Sequence, residues 1–134
     1  MLNDREHAAL TAFAASYLPW GRVHPNSPMI AFYFSLVGEE RRGLMLPLRQ
    51  LREVRWLEEI DGDVSTLWLS FPDYSVEILG AWMEPLRDGL HAGEVDFVRE
   101  YEAARWPIPP DPGAGEPIVW KINYRFRSSN DSAS

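Results

Sequence analysis

The chain has no cysteine, one lysine and only three histidines in 134 residues. The missing cysteine removes disulfides, thiolate catalysis and cysteine-ligated zinc together. His7 and His91 fall on predicted helices and His24 in a loop. No two of the three show the i, i+4 spacing of a helical metal site, so no metal or cofactor is expected. No apolar run approaches the roughly 18 residues that a membrane-spanning helix needs. The first twenty residues, MLNDREHAALTAFAASYLPW, carry no basic stretch ahead of an apolar one, so a secretory leader is not expected and a cytoplasmic location is. The sequence also lacks the serine elbow G-x-S-x-G, the phosphate loop G-x-x-x-x-G-K and the dinucleotide fingerprint G-x-G-x-x-G. Catalysis is therefore not expected, and no catalytic residue is assigned.

Aromatic residues are plentiful. Six Trp, five Tyr and six Phe, within a composition that is 46% hydrophobic and 25% charged, suit a folded globular chain. Each such ring buries roughly 150–250 Å², so a few of them can hold a small core without disulfides. The length fits one domain, expected over 1–127, and the polar residues 128–134 are expected to form a disordered tail.

Charge is unevenly distributed. Between Arg41 and Arg55 five arginines (Arg41, Arg42, Arg49, Arg52 and Arg55) face one acid, Glu53. From Glu58 to Glu116 fourteen acids face three arginines, a balance of −11 within a chain whose net charge is −7. This sign opposes binding to nucleic acid, which needs a basic surface to displace phosphate counterions, and to anionic lipid. It suits a basic protein partner, since surfaces of opposite sign steer association.

Asn3-Asp4-Arg5-Glu6 reads as a helix start with a capping box, and Leu10, Phe13, Ala14 and Tyr17 continue one apolar stripe until Pro19. After a loop rich in proline, Met29–Val37 reads as a strand, with Ile30, Phe32, Phe34 and Leu36 on one face, turning at Gly38–Gly43 into a second extended run from Leu44. Pro47 bends the segment PLRQLREV. Strands around Val54–Leu57, Thr66–Phe71 and Ser75–Leu79, separated by Asp61-Gly62-Asp63 and Pro72-Asp73-Tyr74, form an antiparallel meander. A helix is predicted from about Trp82 to His91, with Pro85 in its first turn and Gly93 beyond its end, while Gly89 inside it costs about 1 kcal/mol against alanine. Glu94–Arg105 fits helical and strand periods equally. The four prolines from Pro107 to Pro112 form an extended connection, and Ile118–Phe126 is a last strand with Ile118, Trp120, Ile122, Tyr124 and Phe126 on one face.

The fold class expected is α+β: an N-terminal helix, an antiparallel sheet of about five or six strands and one helix after the central meander. Over roughly Leu44 to Leu90, the order of strand, bent Leu-Pro segment, strands and helix also resembles bacterial pleckstrin-homology-like modules. That likeness, which rests on hydrophobic pattern, implies a half-barrel as the alternative fold.

Several residues are candidates for a site. Glu58, Glu59, Asp61 and Asp63 cluster at one hairpin tip, where they offer a charged contact surface or simply a solvated turn. Their spacing is not that of a calcium-binding loop. Trp20 and Trp106 lie in or beside proline-rich connections, where an indole either anchors a partner or covers an end of the core. Trp68 and Trp120, within strands, are expected in the core. His24 is placed to act with a carboxylate only if one comes within hydrogen-bond reach; otherwise it is a solvated loop residue. Arg49, Arg52 and Arg55, three apart, form one basic patch or pair with neighbouring acids.

The functional expectation is a non-catalytic acidic protein-binding module of the immunity-protein, inhibitor or adaptor kind, engaging a basic partner through Glu58, Glu59, Asp61, Asp63, Trp20 and Trp106. The competing reading is a small-ligand-binding domain with an aromatic-lined pocket. A homodimer formed through an exposed strand edge is a further option.

Overall fold

The computed structural model describes residues 17–35, 37–59 and 63–127. The helix expected from Asn3 lies outside them apart from its last residues, and Leu36, Asp61 and the tail 128–134 lie outside them as well. Among the described residues the architecture is α+β, but the strands form two four-stranded sheets rather than one sheet of five or six. In chain order the strands are β1 (Trp20–Gly21), β2 (Met29–Tyr33), β3 (Gly43–Pro47), β4 (Glu53–Glu58), β5 (Val64–Ser70), β6 (Tyr74–Ala81), β7 (Phe97–Arg99) and β8 (Ile118–Phe126), with one α-helix, α1 (Glu84–His91), between β6 and β7.

Local pairing follows the turn chemistry. β2 and β3 form the expected hairpin, with Met29 opposite Pro47 and Tyr33 opposite Gly43. The Leu48–Gln50 segment after Pro47 is a short 3₁₀ turn, which gives the bend in PLRQLREV. β4, β5 and β6 form the meander, and β8 returns to pair antiparallel with β6. Within Glu94–Arg105 only Phe97–Arg99 is strand: β7, inserted between β1 and β2 and running parallel to β2. A parallel neighbour requires a long crossover, supplied here by β3, the β4–β6 meander and α1. That insertion is why a reading based on local pairings gives one sheet.

The core lies between the sheets and under the helix. Ile30 and Phe32 of β2 meet Leu67 and Leu69 of β5, Val76 and Ile78 of β6, and Leu86 and Leu90 of α1 in one buried cluster. Fully burying each such side chain stabilises the fold by about 1.5–3 kcal/mol. Leu86 and Leu90, four residues apart, form the inward stripe of α1, Pro85 occupies its first turn and Glu84 there complements the helix dipole. Gly89 has a physical reason to be where it is: a β-carbon there would sit 2.7 Å from a methyl of Val95.

β8 departs from the expected alternation. The β6–β8 register shifts between Leu79 and Gly80, which inverts the facing of the strand's first residues. Val119, completely buried, takes the core position expected of Trp120, and Trp120 is 53% exposed. Trp68 likewise lies outside the core cluster: Leu67 and Leu69 point inward, so Trp68 faces the other side of the sheet, opposite Glu77 and Arg55.

Candidate functional site

The acidic hairpin tip and α1 come together. Glu58 closes β4, Glu59 follows it, and the Glu59 amide donates to the Asp63 carbonyl at 2.7 Å as the chain turns toward β5. Arg87 of α1 reaches across to this end, with its Nη1 2.8 Å from Glu58, its Nη2 3.4 Å from Glu84 and its Nε 3.2 Å from Asp88. Partial desolvation opposes the Arg87 charge, yet hydrogen bonds to Asp88 and Glu58 outweigh it and push its pKa further up. Three acids (Glu58, Glu84 and Asp88) therefore hold one arginine, while Glu59 accepts the Ser65 hydroxyl.

At the centre of this acidic end is Trp56, a residue the sequence reading passed over. β4 is the edge strand of its sheet, so the Trp56 ring, on the inner face opposite Leu67, has a neighbouring strand on one side only. The Arg87 guanidinium stacks 4.8 Å from its ring centre, and the indole Nε1 donates to Glu58 at 3.2 Å. Trp56 is still 48% exposed and Leu57 beside it 51%. A surface groove of about 490 Å³ runs here, lined by Val54, Trp56, Arg87, Asp88 and His91. An amphipathic ring with carboxylates beside it is a combination that can dock an apolar-cationic surface. The available signal was the alternation of Val54 and Trp56 in a strand that ends on acids.

The other candidates have different surroundings. Asp63 turns its side chain inward to the chain, where it accepts the backbone N–H of Trp82. Trp20 is half-buried in β1 against the core cluster. Trp106 is only 6% exposed and stacks with Tyr17 at 5.0 Å. Both tryptophans cover ends of the core rather than presenting an open ring. His24 comes close to a carboxylate, but through its main chain: the two oxygens of Asp96 accept the Val23 and His24 amides at 2.8 and 2.7 Å. Arg55 pairs with Glu53 at 2.9 Å and lies over Trp68, while Arg49 and Arg52 are exposed. Among the described residues no three carboxylate or imidazole groups stand together as a metal site, and no helix is long and apolar enough to cross a membrane.

Compared with known proteins, the chain matches no family model, no curated protein and no solved structure.

Proposed function

We propose that this chain is a non-catalytic protein-binding module, in the manner of an immunity protein, inhibitor or adaptor, that engages a basic partner through the acidic end formed by β4, β5 and α1. The observation that carries the reading is the half-exposed Trp56 ring, stacked on Arg87 beside the carboxylates of Glu58, Glu84 and Asp88. Burying an exposed aromatic supplies affinity, and the surrounding carboxylates supply steering and sign selectivity. Glu58 and Glu59 are the charged contacts of this reading, with Asp61 in the same turn by sequence and Asp63 holding the turn's geometry. Trp56 takes the anchoring role in place of Trp20 and Trp106. The cytoplasm is the compartment in which we expect it to act.

The rival reading, an internal aromatic-lined pocket for a small ligand, draws less support, because Phe32, Leu67, Leu69, Ile78 and Leu86 fill the space between the sheets.

The test compares the native chain with Trp56→Ala and with the double variant Glu58→Lys, Glu59→Lys, each immobilised, exposed to lysate and eluted on a salt gradient. A basic protein retained by the native chain, released as salt rises and lost from both variants is the expected result. Equal retention by all three proteins, or release independent of salt, would sink the reading.

A further inference from the structure

Away from the acidic end, a cleft of about 240 Å³ beside β7 gathers four arginines from two distant stretches of chain. Arg41 and Arg42 come from the β2–β3 turn, and Arg99 and Arg105 from β7 and the segment after it. Arg99 and Arg105 lie 4.5 and 4.7 Å from the ring centre of the same indole, Trp106. Like charges this close repel one another. Arg99 is almost completely buried, and its pKa is pulled down to about 10, first by desolvation and then by Arg105.

The neighbouring acids already have partners. Glu102 holds Arg41 through two contacts of 2.9 and 3.4 Å, Glu40 holds Arg42 at 2.6 Å, and the two oxygens of Glu100 accept backbone amides of Ser35 and Ile122. Arg105 makes no ion pair among the described residues; its guanidinium rests on Trp106. With Lys121, 3.8 Å from Glu100, the described residues gather more cations than acids here, on a chain of net −7. The basic run seen in the sequence is thus divided, and its first two members converge here with arginines that follow about 60 residues later.

We propose that this cleft binds a small phosphate monoester, its head held by Arg41, Arg42 and Arg105 and its organic part lying against Tyr33 and Phe34. A guanidinium fork matches phosphate oxygens two at a time, and a monoester carries close to two negative charges at neutral pH, the sign that Arg41, Arg42 and Arg105 together attract. Glu102 and Glu40 fix Arg41 and Arg42 in advance, so little side-chain freedom is lost on binding. The volume lies below the usual range for drug-sized ligands, which sets the size of the guest. This site is separate from the acidic end and stands or falls without it.

The experiment is an amide NMR titration of the full chain with phenyl phosphate, inorganic phosphate and phenol. Phenyl phosphate is expected to shift the amides of Gly43 and Trp106 and to saturate with a Kd below about 1 mM, inorganic phosphate to bind more weakly and phenol not to bind. Arg42→Ala and Arg105→Ala, both at exposed positions, are expected to weaken binding at least about tenfold each at unchanged melting temperature, with Arg52→Ala as native. No saturable shift up to about 10 mM overturns the proposal, as does an affinity unaltered by either variant. Inorganic phosphate binding as tightly as phenyl phosphate overturns the assignment to a monoester.

Discussion

The Glu100 carboxylate accepts the backbone N–H of Ile122 at 3.0 Å, and its second oxygen accepts that of Ser35 at 2.7 Å. One buried side chain thereby ties the edge of β8 to the chain leaving β2, and so joins the two sheets. A carboxylate is the group that does this well, because both its oxygens accept and neither donates.

Glu100→Gln turns an amide NH₂ toward one of those two backbone donors and leaves it unsatisfied. We expect a loss of about 1–3 kcal/mol, and more for Glu100→Ala, where both amides lose their acceptor. Urea unfolding measures it; a midpoint equal to that of the native chain for Glu100→Gln would show that the link contributes nothing.

Gly80 lies at the β6–β8 register shift, where a β-carbon would stand 2.1 Å from the carbonyl oxygen of Ile118. Backbone has to move to admit a methyl group there. Gly80→Ala is expected to destabilise by about 1–3 kcal/mol and to alter the exposure of Trp120, readable as a shift in its fluorescence. Unchanged stability together with an unchanged spectrum would argue against the close approach.

Trp82 has a backbone φ of 56°, rare for a bulky residue, and is held there by the Asp63 carboxylate on its amide and by the Pro112 carbonyl, which accepts its indole N–H at 2.6 Å. Asp63→Asn keeps an acceptor oxygen and is expected to melt close to the native chain. Asp63→Ala removes it and costs about 1–3 kcal/mol. If Asp63→Asn melts as low as Asp63→Ala, Asp63 matters through its charge and not through this bond.

The Tyr17 hydroxyl bonds the Arg99 carbonyl at 2.9 Å and the Val119 amide at 3.1 Å, and burial pushes its pKa well above the ordinary value of 10.0. The folded chain then holds this proton while the unfolded chain releases it, so the Tyr17 contribution to stability falls as pH rises above about 10. Tyr17→Phe has no such proton. Its stability deficit relative to the native chain should be largest near neutral pH and shrink between pH ~9 and ~11 in parallel thermal melts. A deficit constant over that range would contradict the burial of the phenol.

The elements that the sequence made legible are those governed by local rules. β2, β5 and β6 follow alternation and turn chemistry, and α1 follows Pro85, Leu86 and Leu90. β7 was illegible because its surroundings break the rule that charge lies outside: Asp96, Arg99, Glu100 and Glu102 are buried with Val95, Phe97 and Val98. Their partners are backbone groups, a remote arginine and an indole, none of which has a local signature. At the acidic end, Glu58 and Glu59 could be located from sequence. Trp56 could not, since its exposure depends on β4 being an edge and on Arg87 arriving from α1. Trp120 was misplaced by one bulge, which period-two reasoning does not register.

The parallel seating of β7 beside β2 also bears on how the chain reaches this fold. Ala31 pairs with Phe97 and Phe32 with Val98, partners 66 positions apart, and among the described strands β1 pairs with β7 alone. The first sheet therefore cannot close until the meander and α1 have left the ribosome and the residues near Arg99 have followed. Closing so long a loop carries its entropy cost before any pairing offsets it, so β1 can join the sheet only once β7 is in place.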